Sequence, residues 1–538
     1  MRLLTEPNFS CSFTDDPNPD HRNQITRAAS LTHAAVSFSQ AIRTDTLPVD
    51  QVRGVPLCMN QYWWLFGVTR VPCPDGGRIR LDVDSRHIVV FCRGQIYRLD
   101  VVEENSGHVI GIHELQKQLG SILRDSNALR ADEATKSSLG VFTTGNQKAW
   151  SHWRSTLVRD GLKNGRNLAV IDSSLFALCL DESSPESRPD ICKNMICGTN
   201  VVENGVQAGT CLNRWYDKLS IIVCRNGAAG MNFEHTCTDG SVDIGMACEI
   251  YKRSVSQQEN AVNGINTSPA NGLGDGQLAA SGRLQKLEWV ITTEVSAAMQ
   301  EAGKMLQSRI DQHQLATLDV HGYGKDYIKS KGFPPDAFFQ MSLQAAYFRA
   351  YGSIRSGFEP VHTRQYLHGR TDVVRTTTTA AAAWARTFSD GDSSDPEKIE
   401  ALRRATEAHV ALSKDCTKGL SHHRHLGVLQ KMWKGRQAFL EVAGLGRVTS
   451  KGEEGPTIFT DAGWSRLGTS ILTGSNVDNP YIAYAGFGPL AADGFTVTYY
   501  IREGHMAMSV TSKNGQAAQF ADTIEETLQG IKKLLDSK

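Results

Sequence analysis

Apolar and polar positions follow two different periods along the first part of the chain. Residues 23–45 (NQITRAASLTHAAVSFSQAIRTD) carry apolar side chains at the spacing of a helix that buries one face. Residues 86–102 and 218–235 instead carry short apolar runs on either side of the turn dipeptides Arg93-Gly94 and Asn226-Gly227. The pattern predicts one helix and two β-hairpins, and the second hairpin ends at residue 235.

A polar segment rich in glycine, asparagine and serine divides the chain at residues 257–282. It has few apolar residues to anchor it in a core, which is typical of a connection between domains. A chain of 538 residues also exceeds what a single core usually supports. We therefore expect an α/β or α+β protein of two similar halves, residues 1–282 and 283–538.

Helical and extended patterns alternate again after this segment. Residues 293–315 and 334–352 have helical apolar spacing, and Pro335 and Gly352 suit the first turn and the end of the second helix. Two strand-like runs and a closing amphipathic helix are predicted at residues 480–490, 495–512 and 521–535.

Composition excludes several classes of function. The 57 basic residues equal the 57 acidic ones, so there is no electrostatic basis for nucleic acid or an anionic membrane as the main partner. The twelve cysteines are scattered without a CxxC pair, and neither a signal peptide nor a run of eighteen apolar residues is visible. We expect a cytoplasmic protein. We also expect no metal site, because His422, His423 and His425 lack a second cluster of ligands.

The segment NFEHTCTDG (residues 232–240) places an imidazole, a carboxylate and a glycine directly after a predicted strand. A histidine at a strand end is most often a hydrogen-bonded structural residue. Its side chain titrates near neutrality, however, so His235 could also take a proton from a hydroxyl or thiol. Asp239 and Gly240 would then fix the turn and let it pack closely. This is a structural role for Asp239 rather than one in proton transfer.

Several blocks of the chain resemble the choline/carnitine O-acyltransferase family. They are LPVDQVRGVPLCMNQYWWLFGVTRVP (47–72), NRWYDKLSIIV (213–223), NFEHTCTDG, YGKDYIKSKGFPPDAFFQMSLQAAYFRAYG (323–352) and HGRTDVVRT (368–376). The resemblance runs from about residue 27 to the C-terminus. It implies two halves like the chloramphenicol acetyltransferase fold, with an active-site tunnel between them.

The same resemblance implies a reaction mechanism. His235 would deprotonate an alcohol as it attacks the carbonyl of a pantetheine thioester directly, without an acyl-enzyme. This agrees with the absence of a GxSxG motif from the sequence. In ILTGSNV (471–477), Thr473-Gly474-Ser475 stands where the family has its Ser-Thr-Ser signature. Ser475 keeps the final serine, which in the family serves as a hydrogen-bond donor to the oxyanion. Losing such a donor typically costs about 3–4 kcal/mol.

A site for the thioester donor is also implied by the resemblance. Lys325 and Lys329 match family positions that contact the ribose phosphate of coenzyme A, and their spacing puts both on one face of a helix. A lysine pair at that spacing is otherwise usually a solvated face. Asp336 matches the carboxylate near the pantetheine end. We expect CoA or a phosphopantetheine thioester as co-substrate and no permanently bound cofactor.

The residues around the acceptor depart from the family. Arg424 and Thr371 match two of the three groups that hold the carnitine carboxylate, but Phe358 stands where the family has a tyrosine. A hydrogen bond to a charged group contributes about 1.5–3 kcal/mol, so this loss should weaken carnitine binding. Thr473 and Gly474 also depart from the family's residues and alter the same side of the acceptor site.

The acyl pocket departs from the short-chain members as well. Phe487, which would face the trimethylammonium group of carnitine, is kept. Two residues earlier, where short-chain members carry a methionine, the sequence has Ala485, followed by Gly486, so the pocket should admit more than acetyl. The chain also starts without the leader of ordinary members, which suggests a piece of something larger.

Three functional hypotheses follow. The first is the acyltransferase domain at the C-terminal end of some fungal highly reducing polyketide synthases, which would move the polyketide from an acyl carrier protein to a small hydroxyl compound such as a polyol. The second is a free-standing carnitine O-acyltransferase with a medium-chain preference, supported by Arg424 and Thr371. The third is a non-catalytic module that binds an acyl carrier, and retention of both His235 and Ser475 argues against it.

Overall fold

The computed structural model describes residues 8–203, 206–263, 282–442 and 456–537. It divides into two compact units. The first comprises Met1–Leu315 with Asn479–Gly488, and the second comprises Ala316–Asp478 with Pro489–Lys538. Each unit is built on its own β-sheet flanked by helices, so the α/β class expected from the sequence is confirmed.

The described residues include twenty strands. In chain order they are β1 Asn8–Phe13, β2 Gln51–Val52, β3 Val55–Pro56, β4 Val68–Cys73, β5 Gly76–Leu81, β6 His87–Cys92, β7 Gln95–Asp100, β8 Ala177–Asp181, β9 Val201–Glu203, β10 Val206–Ala208, β11 Ser220–Cys224, β12 Ala229–Glu234, β13 Leu284–Lys286, β14 Gln314–His321, β15 Gly357–His362, β16 Thr371–Val374, β17 Leu472–Asn476, β18 Ile482–Gly486, β19 Phe495–Ile501 and β20 His505–Ser512.

Sixteen α-helices lie among the described residues, with short 3₁₀ turns between some of them. They are α1 Gln24–Arg43, α2 Ile112–Asn127, α3 Ala131–Ala134, α4 Gln147–Arg159, α5 Leu162–Ser173, α6 Arg188–Ile196, α7 Gly240–Asn263, α8 Thr293–Gln312, α9 Lys325–Ser330, α10 Pro335–Tyr351, α11 Thr379–Ser389, α12 Asp395–Thr417, α13 His422–Val442, α14 Thr457–Thr460, α15 Ala462–Gly468 and α16 Ala517–Asp536. None of them is long and apolar enough to cross a bilayer.

The first unit is organised by an eight-stranded mixed sheet in the order β13-β7-β6-β8-β11-β12-β1-β18. Both predicted hairpins are present in it. Arg93 and Gly94 have φ of 50° and 72°, as a two-residue turn requires, and Gly227 has φ of 83° between β11 and β12. Because β11 and β12 are central strands, the segment that follows β12 starts from a rigid part of the sheet.

The second unit is organised by a six-stranded sheet in the order β14-β20-β19-β17-β15-β16. Its core is filled by the helix α10, which is buried on most of its surface, and by α16. Pro335 lies in the first turn of α10 and Gly352 ends it in the left-handed conformation, both as predicted. The sheet presents β15 and β17 side by side, and these strands carry several of the candidate site residues.

Three sequence expectations about organisation differ from the structure. The first unit runs past the expected boundary at residue 282, because β13 pairs with β7 and keeps α8 in this unit. The segment expected as a loop from residue 257 is still helical to Asn263, and most of its remainder lies outside the described residues. Strand β18 belongs to the first unit, although its residues were assigned to the C-terminal half, because it pairs with β1.

Candidate active site

His235 is the first residue after β12, and five residues separate that strand from α7. The chain must therefore reverse over a short turn that holds His235, Asp239 and the start of the helix. The side chain of His235 is 36% exposed, whereas Phe233 two residues earlier is buried in the sheet. The turn thus presents an accessible imidazole on a fixed strand end.

A buried ion-pair network holds the strand end that carries His235. Arg70 of β4 lies 2.7 Å from Asp217 Oδ1 and 2.9 Å from Glu234 Oε1, and all three side chains are at most 11% exposed. Trp150 donates its Nε1–H to the other oxygen of Asp217. Glu234 in turn accepts a hydrogen bond from the hydroxyl of Thr236 at 2.5 Å. The residues on both sides of His235 are therefore fixed.

A second carboxylate, on Asp243, faces the imidazole. Its Oδ2 lies 3.4 Å from His235 Nδ1, and its side chain is 1% exposed. Burial raises the pKa of the Asp243 carboxyl, while the interactions with His235 and Thr238 act in the opposite direction. The sequence analysis did not identify Asp243. The signal that could have found it is a second aspartate one helical turn after Asp239, on the same face of α7.

Asp239 is buried at the start of α7. Its backbone N–H donates to Gln61 Oε1 at 2.8 Å, and its carbonyl accepts the N–H groups of Val242 and Asp243. These contacts join the turn to the segment that carries the MNQY run and begin the helix. All three are contacts of the backbone, so the structural role of the Asp239 carboxylate stays a prediction.

The candidate acyl-pocket residues lie in the same sheet as β12. Strand β1 pairs with β12 on one side and with β18 on the other, and it aligns Ser10 with Gly486 and Cys11 with Ala485. The ring of Phe9 lies 5.6 Å from Phe233 and 6.2 Å from Phe487. The first unit therefore brings Ala485, Gly486 and Phe487 to within two strands of the one that ends at His235.

The candidate donor residues lie in the second unit. Lys325 and Lys329 are on the six-residue helix α9, half-buried and exposed respectively, and the expected helical spacing is confirmed. Asp336 lies in the first turn of α10 and accepts hydrogen bonds from Tyr499 Oη at 2.8 Å and Asn476 Nδ2 at 2.9 Å. These partners fix its carboxylate.

Asp336 also belongs to a buried acidic cluster with Glu359 and His409, whose ligand atoms lie within 4.8 Å of one another. Burial and then the Asp336 carboxylate raise the pKa of Glu359 to about 7. Glu359 Oε2 lies 3.0 Å from His409 Nε2. The three side chains form a group of possible metal ligands that the sequence analysis, which weighed only His422, His423 and His425, did not identify.

Thr473 and Ser475 lie on β17, two residues apart and hence on one face of the strand. Thr473 is fully buried, and its Oγ1 has no hydrogen-bond partner in the described part of the chain. Gly474 between them leaves room for the amide of Gln340, which lies only 2.6 Å from where a Cβ at position 474 would stand. A threonine here would displace Gln340 from Tyr499, which explains the glycine.

Four of the candidate acceptor residues lie in the second unit, namely Phe358, Thr371, Arg424 and Thr473. Phe358 of β15 is aligned with Thr473 of β17, and Arg424 donates to Thr371 Oγ1 at 3.4 Å. The sequence analysis missed Arg375, whose guanidinium lies 5.9 Å from the centre of the Phe358 ring.

The surroundings of Arg375 are electrostatically unusual. It is 8% exposed and donates to neutral groups, Ser470 Oγ and the ring of His423, each at 3.0 Å. Burial and then Arg424 lower its pKa to about 10. Neither Arg375 nor Arg424 has a carboxylate within ion-pair distance among the residues that the structure describes. Two guanidinium groups without a counter-charge form a natural place for an anion.

The chain is similar to known proteins along most of its length. The model of the family "Choline/Carnitine o-acyltransferase" matches residues 1–526. A putative mitochondrial carnitine O-acetyltransferase of Saccharomyces cerevisiae is 34% identical, over 96% of this chain and 77% of that protein. Mitochondrial carnitine O-palmitoyltransferase 2 of Xenopus tropicalis is 28% identical over 98% and 79%, and human carnitine O-acetyltransferase is 27% identical over 96% and 78%.

Several solved structures show only weak similarity to this chain. The starter condensation domain of rhizomide synthetase RzmA is 9% identical and aligns over 99% of this chain and 93% of that chain, with a TM-score of 0.33. A score at this level carries no argument about the fold.

Proposed function

The chain belongs to the choline/carnitine O-acyltransferase family and is an O-acyltransferase, and from this premise we propose that His235 is the general base of direct acyl transfer from a thioester to a hydroxyl acceptor. The observation that carries the proposal is the His235 imidazole, held accessible on a strand end with its Nδ1 facing a buried carboxylate. This arrangement leaves Nε2 as the nitrogen for proton transfer.

The proposed reaction has one tetrahedral intermediate. The acceptor hydroxyl gives its proton to His235 Nε2 while its oxygen attacks the thioester carbonyl carbon. Ser475 donates to the oxyanion, in the role that its family position implies. The C–S bond then breaks, and the proton on His235 passes to the leaving thiolate. The products are an ester and a free thiol, and His235 returns to its neutral form.

The donor is proposed to be an acyl chain on a phosphopantetheine arm. Lys325 and Lys329 would hold the ribose phosphate when the donor is CoA, and Asp336 would lie near the pantetheine end. Ala485 is small and buried in β18, which supports an acyl group longer than acetyl. In the finer proposal the donor is a polyketide on the acyl carrier protein of a fungal synthase, in the cytoplasm, and the enzyme releases the product from that synthase.

The natural acceptor is proposed to be a small polyol. Phe358 supports this, since it supplies no hydroxyl to an acceptor carboxylate. A second candidate, carnitine, is favoured by a specific observation, namely the guanidinium groups of Arg375 and Arg424 without a carboxylate among the described residues. The two candidates differ in whether the acceptor carries a carboxylate, so a direct competition separates them.

The experiment compares the unmodified protein with His235→Ala, and with His152→Ala as a control on the exposed face of α4. Each protein receives a medium-chain pantetheine thioester with carnitine and a polyol panel together, and product masses are read directly. We expect esters from the unmodified protein and from His152→Ala, and a loss of at least about 10³-fold in His235→Ala. Substantial turnover by a folded His235→Ala protein would refute the base. A wide preference of the unmodified protein for carnitine would refute polyketide release to a polyol.

A further inference from the structure

We propose that Asp243 is the positioning residue that orients His235 and fixes its tautomer, an inference that rests on the proposed role of His235. The sequence analysis gave Asp239, the carboxylate of the HxxxDG motif, a structural role. The structure instead places the carboxylate of Asp243, eight residues after the histidine, opposite Nδ1.

The position of Asp243 is fixed by the helix that carries it. Asp243 lies in the first turn of α7, where its backbone N–H donates to the carbonyl of Asp239 at 3.1 Å. A carboxylate in the first turn of a helix is stabilised by the partial positive charge of the helix N-terminus. The side chain is 1% exposed, so it cannot exchange its contact with His235 for water. The helix start and the burial together hold this carboxylate at one place beside the imidazole.

A buried carboxylate needs a partner, and the imidazole of His235 lies at ion-pair distance from it, outside hydrogen-bond geometry. Among the described residues, His235 is the basic side chain within ion-pair distance of Asp243. The hydroxyl of Thr238 also lowers the pKa of Asp243, whereas the nearby Asp239 raises it. The contact of 3.4 Å is longer than an ordinary charge-assisted hydrogen bond, and such contacts often tighten when substrate binds.

The consequence for the reaction follows from the two ring nitrogens. A carboxylate opposite Nδ1 favours the tautomer with the proton on Nδ1, which leaves the lone pair on Nε2 to accept the proton of the acceptor. The same carboxylate stabilises the imidazolium that forms when the proton arrives. Asparagine is nearly isosteric with aspartate but carries no charge, so it removes the second effect and leaves the tautomer undirected.

The test compares Asp243→Asn with Asp239→Asn, which alters the neighbouring carboxylate that was given a structural role. Asp190→Asn is the control, since Asp190 is also in the first turn of a helix, α6, but is exposed and far along the chain from the motif. We expect Asp243→Asn to lower kcat about 10²- to 10⁴-fold with little change in KM, and the acidic limb of its pH–rate profile to move to lower pH. Asp239→Asn should lower Tm more than kcat. An unchanged kcat in a folded Asp243→Asn protein, or a larger loss of kcat in Asp239→Asn, would overturn the inference.

A measurement on the unmodified protein tests the geometry without relying on turnover or on the folding of a variant. Nitrogen NMR of histidine-labelled protein, with the His235 signals identified from His235→Gln, reports which ring nitrogen carries the proton. We expect neutral His235 to be protonated on Nδ1, and a proton on Nε2 would refute the role of Asp243. Should His235→Ala remain active, the proposed function fails, while the NMR result still decides the contact with Asp243.

Discussion

Replacing Arg70 with methionine should destabilise the first unit and disturb the active-site turn. Methionine keeps much of the length and packing of the side chain but removes its charge. The change leaves the carboxylates of Asp217 and Glu234 without their cation, and these side chains are only 4% and 6% exposed. Trp150 still donates to Asp217, but a neutral donor does not replace the guanidinium.

The magnitude follows from the burial of this network. Removing one partner of a buried ion pair typically costs about 3–5 kcal/mol, because an uncompensated charge remains in a poorly polarisable environment. At about 2 °C of Tm per kcal/mol for a unit of this size, the melting temperature should fall by about 6–10 °C.

The pH dependence of the Arg70→Met variant has a definite sign. Burial already raises the pKa of Asp217, and Arg70 acts against that rise. Without Arg70 the folded-state pKa rises further above the unfolded value, so the destabilisation is fully present at high pH and is relieved as the carboxylate takes up a proton. The difference in Tm between the two proteins should therefore be larger at pH 8 than at pH 5.5.

The assay is thermal unfolding by calorimetry at both pH values, with turnover measured on the same samples. Arg78→Met is the matched control, because Arg78 lies on β5 in the same hairpin but forms only an exposed pair with Asp75 at 4.0 Å. Exposed pairs contribute about 0–1 kcal/mol, so this control should change Tm by at most about 2 °C. Equal Tm losses in the two variants, or a loss for Arg70→Met that grows toward low pH, would contradict the reasoning.

Three further changes test the donor and acceptor sites. Lys325→Ala with Lys329→Ala should raise KM for CoA thioesters, an effect that added salt partly mimics, and should affect a carrier-bound donor less because it lacks the ribose phosphate; equal losses for both donors would refute the division. Phe358→Tyr should improve kcat/KM for carnitine by about 10- to 100-fold, the equivalent of one hydrogen bond to a charged group, and should not help a neutral polyol. Ala485→Met should lower the rate for long acyl thioesters while sparing acetyl, as a series of chain lengths would show, and a uniform loss across the series would contradict a role in chain length.

The sequence alone determined those features that depend on near neighbours in the chain. The dipeptides Arg93-Gly94 and Asn226-Gly227 marked both hairpins, and three of these four residues, Arg93, Gly94 and Gly227, have positive φ in the structure. Pro335 and Gly352 likewise set the ends of α10 through their own backbone geometry. The motif blocks were sufficient to place the chain in its family, which the match over residues 1–526 confirms.

Only the tertiary structure decided which side chains face one another. Strand β18 joins β1 through pairs such as Cys11 with Ala485, residues 474 positions apart, and no local pattern encodes such a pairing. The partner of His235 was equally hidden, since the sequence analysis gave Asp239 a structural role and did not weigh Asp243, which helix packing buries beside the imidazole.

The guanidinium pair illustrates the same limit. Arg375 stands in HGRTDVVRT as one more basic residue of a chain with balanced charge, and nothing local distinguishes it from a solvated arginine. The second unit buries it beside Phe358 and near Arg424. Periodicity and turn chemistry act over a few residues and can be predicted from sequence. Electrostatic and packing partners depend on distances through space, which are fixed only when the sheets and helices have assembled.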